Sequence, residues 1–517
     1  MPDLTSILRL LPLVLPLAWA LAGCAADSID AAPPAPDKPW TPRVAANGEI
    51  QPGPPSAAPQ AKTFILPENR GAGQIGAAPP VDPGHIYDLA ELIDLAERNN
   101  PATRIAWNAA RDAALATGIV KSAYLPRVVV AATGLYQASK GSDRLTAGPL
   151  STGLTNPESA DGVISAVTLN WLLFDFGQRD ALAQAAEQAS IISNIAFTAA
   201  HQQVIFDVSS AFYALAAARA RRGANDLSLR NAQEVLDAAE ARKKKGVGTS
   251  IEAAEARQGV AQARLLVVQA EGAEKNATVD LIAAVGLAPT TKLRVADVGR
   301  RSLSASMARA IDRKIENALA RRPDVLQAYA AERASEAKLR AAQAEMLPKV
   351  FLSGTANYNA GNLTASTIFP TGLQTPISNL SGGRYGGTVL LGAAMPLYDG
   401  GVRAAIIEQA QVGVDTAATH LARTRQQAIR QIAVANTTLT TSLASFEAAR
   451  ALVAASETSY AAALAAYRSG VGDISAVSLG QTRLLQARNA QADAYSSALS
   501  SAALLALATG SLGSAPP

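Results

Sequence analysis

Few side chains in this sequence have the type and spacing to do covalent or metal chemistry. The three histidines, His85, His201 and His420, stand far apart and none has a cysteine near it. No metal-ligand set and no activated nucleophile is spelled out, which argues against an enzyme. One thiol remains. Cys24 is the only cysteine, so the chain cannot form an internal disulfide. It follows Leu21-Ala22-Gly23, at the end of an apolar run over 10–23 that begins after Arg9. That run is shorter than the roughly 20 residues needed to span a bilayer and fits the core of a secretory signal. Small residues before the cut let the chain enter a peptidase site.

The stretch Leu21-Ala22-Gly23-Cys24 resembles a bacterial lipoprotein lipobox, and the resemblance implies acylation of the Cys24 thiol as residue one of the mature chain, a covalent lipid being the one non-protein group expected. Ala25 follows where retention at the inner membrane usually requires Asp, and by that resemblance the anchor belongs to the outer membrane. Residues 25–85 are rich in Pro, Ala and Gly and read as an extended tether. The formal net charge of +4 is small for 517 residues and gives no reason to expect a nucleic-acid partner. The chain is 49% hydrophobic but only 5% aromatic, so alanine carries much of the apolar fraction. Small side chains suit closely packed helices better than a bulky core.

The remaining positions of interest come in pairs. Asp175, Gly177 and Arg179 recur as Asp399, Gly401 and Arg403, each 224 positions on, and Gly246-Val247-Gly248 recurs as Gly470-Val471-Gly472 at the same offset. Upstream, Pro101 and Pro126 recur as Pro323 and Pro348, 222 positions on. Two copies of one structural unit follow. The expected organisation is a signal peptide (1–23), a lipidated tether (24–85), a first repeat (86–290), a linker (291–307), a second repeat (308–513) and a short tail (514–517).

Each repeat reads as a helical stretch broken at proline (89–123, then 308–346), a strand, a polar loop, a second strand and a long helical hairpin. Period-two alternation puts Leu169, Trp171, Val350 and Leu352 on apolar faces and Thr168, Asn170 and Thr355 on polar ones. The outgoing helix from Arg179 to Lys245 would be roughly 100 Å long and the returning one from Thr249 to Val285 roughly 55 Å. The shortfall is expected to be filled by 308–346 in series with 249–285, and by 89–123 with 473–509 across the chain ends. Gly177 and Gly401 allow the strand-to-helix turn. Asp175 and Asp399 are suited to cap the helix that follows. Lys243, Lys244 and Lys245 stand beside the first tip. They read either as a solvated helix end that complements the negative dipole terminus, or as a docking surface or basic ring near an opening.

Four amphipathic strands cannot close a barrel, and lipid does not tolerate open edges. Three chains would supply twelve strands and twelve helical columns. The turn motifs, the Gly-Val-Gly tips and the Leu-Pro strand starts, over about 87–513, resemble the TolC family of outer-membrane efflux proteins. The lipobox is similar to its drug-efflux, OprM-like branch. The resemblance implies a mainly α fold with a small membrane β-barrel, built as a homotrimer whose periplasmic tunnel meets an adaptor protein and a proton-driven inner-membrane transporter. It implies adaptor docking at Val247-Gly248 and Val471-Gly472. It also implies a gate lined by acids just past the tips, for which Glu252 and Asp473 are the candidates; the second copy departs here, with Ala at 476. The function implied is small-molecule efflux, with protein secretion as the alternative. A structural coiled-coil lipoprotein and a periplasmic adaptor are remoter readings, since neither has two equal hairpins and four membrane-type strands.

Overall fold

The computed structural model describes residues 31–33, 35–40, 42–52, 64–69, 71–73, 81–138, 159–298, 312–362 and 384–513. The signal segment, Cys24 and the tail 514–517 lie outside the described residues, as do most of the two polar loops and of the linker.

The chain divides at Val81 into two units. In the first, β1 (Arg43–Val44) pairs antiparallel with β2 (Ile50–Gln51). This small hairpin was not expected of a Pro/Ala-rich tether. Its cause is local: Gly48 takes φ 87°, and the Asn47 side chain accepts a hydrogen bond from Glu49 N at 3.2 Å. Asn-Gly is a strong turn signal even in a short polar setting.

The second unit holds both repeats. It opens with β3 (Ile86–Tyr87), α1 (Leu89–Asn99), α2 (Pro101–Lys121), β4 (Arg127–Ala138), β5 (Ser159–Phe174), α3 (Gln178–Lys244) and α4 (Ser250–Val285). It continues with β6 (Arg294–Val295), α5 (Asp312–Leu319), α6 (Pro323–Ala344), β7 (Lys349–Asn362), β8 (Tyr385–Ala394), α7 (Val402–Ser469) and α8 (Ile474–Ala508). β3 pairs in parallel with β6, so the segment that follows the first repeat is tied back to the repeat's beginning. α1 starts on a capping box, Asp88 with Glu91. α2 has Asn100 as cap and Pro101 in the first turn, where the missing N–H costs nothing. No proline interrupts α3 or α7, which run 67 and 68 residues.

The helices form four columns, but the short helices join differently from the expectation. Asn100 Nδ2, at the start of α2, donates to Ala284 O at the end of α4, at 2.9 Å. Arg322 Nη1, at the start of α6, donates to Ala508 O at the end of α8, at 2.7 Å. α2 therefore continues α4, and α6 continues α8. Each joint closes within its own repeat, not from one repeat into the next. The reason is end chemistry. The last carbonyls of one helix take donors from the cap residue of the other. Gly286 and Gly510, both with positive φ, pass so close to Asn100 and Arg321 that an added Cβ would lie 2.6 and 3.0 Å from their backbone. α2 and α4 pack on α3, while α6 and α8 each pack on both α3 and α7. Buried seams such as Val204, Val208, Leu215, Ala232 and Ala239 keep the helical spacing read from the sequence.

The four long strands form one antiparallel sheet in the order β4-β5-β7-β8. In it, Val128, Leu169, Gly354 and Val389 lie in one row and Trp171, Leu352 and Leu391 in another of the same face. Thr168, Thr355 and Thr388 share the opposite face, as do Asn170 and Ser353. A bulge between Leu172 and Phe174 brings Phe174 opposite Val350, so β5 leaves the ladder as it enters the turn.

Candidate docking and gating site at the helical tips

The strand-to-helix turns set the direction of both hairpins. Asp175 Oδ2 accepts from the backbone N and the Nε of Arg179, both at 2.9 Å, and both side chains are buried. The same guanidinium donates to the carbonyls of Ala123, Leu172 and Leu173 and lies 4.7 Å from the Tyr124 ring. Burial pushes the Tyr124 hydroxyl above its ordinary range. The second copy repeats the device: Asp399 Oδ2 accepts from Arg403 N at 3.1 Å and Nε at 2.6 Å. The bond from Arg403 is the main reason the Asp399 carboxyl is held below the usual range. Gly177 and Gly401 sit at φ 92° and 89°, the left-handed region that glycine enters freely. Gly177 and Gly401 occupy the cap positions, while Asp175 and Asp399, two residues earlier, each accept from a first-turn backbone N–H. The arginines were aligned in the sequence, but their part in sewing strand carbonyls to the helix start was missed.

At the far ends of the hairpins, α3 closes on Gly246 and α7 on Gly470, at φ 75° and 88°. The orphan carbonyls are taken up by the turn itself. Val247 N and Gly248 N both donate to Arg242 O, and Val471 N and Gly472 N both donate to Ala466 O. A Cβ on Gly248 would lie 2.9 Å from Arg242 Cβ, so the backbone approach itself demands glycine there. Val247 and Val471 are left 66% and 85% exposed. The returning helices are capped by Thr249, which accepts from Glu252 N, and by Asp473, which accepts from Ala476 N at 2.7 Å.

The two tips are tied together side by side. Val235, Ala239 and Ala256 of the first hairpin share a buried cluster with Tyr460, Leu464, Tyr467, Ile474, Val477 and Leu484 of the second. Above it, the fully buried Tyr467 donates its hydroxyl to Glu252 Oε2 at 3.0 Å. Arg242 Nη1 donates to Tyr467 O at 2.7 Å, its guanidinium stacks 4.8 Å from the Tyr467 ring, and its Nε is 3.8 Å from Glu252. At 3.8 Å that last contact is an ion pair and not a hydrogen bond. Burial, and then the bond to Glu252, push the Tyr467 hydroxyl up to about 12. An exposed ion pair, Arg468 with Glu234, spans the same gap.

The structure therefore separates the two acids proposed for a gate. Glu252 bridges the hairpins, whereas Asp473 is engaged in its own helix cap. Arg242 and Tyr467 were not foreseen. Tyr467 aligns with Lys243 in the repeat, and Glu252 with Ala476. The bridge is built from positions where the two copies differ at the tip, and that difference was the available signal.

Comparison with known proteins agrees with this architecture. The family model described as outer membrane efflux protein matches residues 92–287 and 314–511. The chain is 28% identical over 436 residues to Protein CyaE of Bordetella pertussis, covering 84% of this chain and 86% of that one. It is 26% identical over 390 residues to outer membrane protein OprJ of Pseudomonas aeruginosa, covering 74% and 76%. Among solved structures, the outer membrane protein VceC of Vibrio cholerae superposes with a TM-score of 0.68 at 19% identity, over 82% of this chain and 96% of that one.

Proposed function

The chain belongs to the outer membrane efflux protein family, and from that premise we propose that it is the outer-membrane channel of a tripartite export system, conducting small molecules. It is a transport protein and not an enzyme. The observation that carries the reading is the four-stranded sheet. One face is apolar, and among the described residues β4 and β8 are each paired on one side only. Such edges are untenable in lipid, whereas three copies close twelve strands, an allowed barrel. Aromatic residues mark both ends of the apolar face: Trp171 near the helices, and Tyr136, Tyr358 and Tyr385 toward the loops. That is the position of aromatic belts at membrane interfaces.

In this reading Cys24 carries lipid, the tips of the long hairpins meet a periplasmic adaptor, and a proton-driven inner-membrane transporter loads the tunnel. The Tyr467–Glu252–Arg242 bridge holds the two hairpins of a protomer together in the closed state. Outer membranes extracted in mild detergent should yield a heat-sensitive trimer whose mature N-terminus has the mass of an acylated cysteine. Deleting the gene should raise accumulation of at least one exported small molecule. A monomeric, unacylated chain recovered from the soluble periplasm would overturn the proposal.

A further inference from the structure

We infer that the two tips of each protomer engage unlike surfaces of the partner, and that the first tip, through Lys243, Lys244 and Lys245, takes an acidic one. This rests on the docking reading above and specifies its chemistry.

The three lysines need an explanation beyond helix ending. The terminal carbonyls of α3 are already taken by backbone donors: Ala241 O by Lys245 N, Arg242 O by Val247 N and Gly248 N, and Lys243 O by Gly246 N. The lysine side chains are therefore not needed as caps. They also do not serve the contact with the second hairpin. Val235, Ala239 and Arg242 form the stripe that faces it, with Leu236 and Ala238 at its edges; at 100° per residue Lys244 falls on the far side of that stripe, and Lys243 and Lys245 on its two borders. All three are exposed, and among the described residues none is in an ion pair. The acids nearby are largely engaged elsewhere: Glu240 with Arg257 at 2.7 Å and Glu252 with Tyr467, leaving Glu255.

The second tip is different. Counting 240–257, five cations (Arg242, Lys243, Lys244, Lys245, Arg257) face three acids (Glu240, Glu252, Glu255), a balance of +2; counting the aligned 464–481, Arg468 and Asp473 cancel to 0. The repeat keeps Gly-Val-Gly in both copies, so the turn does not require the charge. Three ammonium groups outside any ion pair among the described residues, with a local excess of +2, stand beside an exposed valine; they raise the local potential and favour carboxylates around whatever covers that valine. In a trimer the basic tips would recur three times, alternating with neutral ones. A partner with one repeated tip would have to meet both kinds, and its acidic side chains belong at the first.

The test uses the intact detergent-solubilised protein and, as probe, the purified adaptor identified by cross-linking through position 471. Wild-type protein, a Lys243→Gln, Lys244→Gln, Lys245→Gln variant and the matching triple Arg variant are compared at low and high salt. The Gln variant should assemble normally and bind the adaptor about 10-fold more weakly at 50 mM salt, chiefly through slower association, with the gap closing to about 2-fold at 500 mM. The Arg variant should bind like wild type. Equal binding by the Gln variant at both salt concentrations overturns the inference. So does adaptor binding that is unchanged while binding to phosphatidylethanolamine–phosphatidylglycerol vesicles is lost, because the patch would then serve an anionic membrane. Absence of adaptor binding by the wild type itself would instead sink the docking reading on which the inference stands.

Discussion

At the scale of single residues, the most consequential side chain is Tyr467, which no local pattern singled out. It is fully buried between hairpins more than 200 residues apart in sequence, and its one polar atom is spent on Glu252. Removing the hydroxyl leaves a partly buried carboxylate short of a donor, while the ring still fills its place. Hydrogen bonds to charged groups contribute about 1.5–3 kcal/mol, so Tyr467→Phe should move the closed–open balance roughly 10- to 100-fold toward open. Single-channel recordings in planar bilayers check this through longer or larger openings; wild-type-like traces would show that the bridge does not hold the tip. The pH dependence has a definite sign. A hydroxyl raised to about 12 lies above the ordinary tyrosine value of 10.0. Its contribution is therefore fully present below pH 10 and lost as pH rises through 12. Alkaline opening in wild type that is absent in Tyr467→Phe would match that sign.

At the scale of elements, the sheet was legible because period-two alternation is short-ranged and strict. The register bears out the sharing of faces: Leu169 stands opposite Gly354 and Val128, and Thr168 opposite Thr355 and Val129. If the apolar face meets lipid, Leu169→Arg should cost about 2–4 kcal/mol and Thr168→Arg much less. Trimer yield from outer membranes, measured for both variants, would refute the face assignment if the two losses were equal. The helices were legible in extent but not in connection. The expected bounds of α3, α4 and α8 hold to within a residue or two, and α7 falls in the proline-free stretch after Pro396. The order of the joints was misread because helix lengths alone cannot tell α6 following α4 from α2 following it. That choice is made by Asn100 and Arg322 reaching the last carbonyls of α4 and α8, contacts that leave no periodic trace. The hairpin at 43–51 went unread for a related reason: Asn47-Gly48 is a turn signal, but tether composition outweighed it.

At the scale of the whole molecule, the repeat builds one protomer from two copies of one structural unit, alike at the turns and different at the tips. The turns at Asp175 and Asp399 stay alike because each must hold a helix to a strand in the same way. The tips keep their glycines and valines but exchange the rest, which yields the asymmetric bridge and the basic first tip. Val247 and Val471 are exposed apolar groups at the ends of the hairpins, with Ile251 exposed beside the first, a place that makes physical sense when a partner covers them. Docking can open the tips only if the partner binds the open arrangement more tightly than the closed one. An aspartate at each position would oppose burial under the partner while leaving the turn intact, since both side chains point to solvent and their backbone bonds are unaffected. The double variant Val247→Asp, Val471→Asp should therefore give normal trimer yield with lost export and lost cross-links to the adaptor. Full export by a correctly assembled double variant would rule docking out. Failed assembly would mean that the valines pack against neighbouring tips of the trimer, which assigns them to the oligomer and not to the partner.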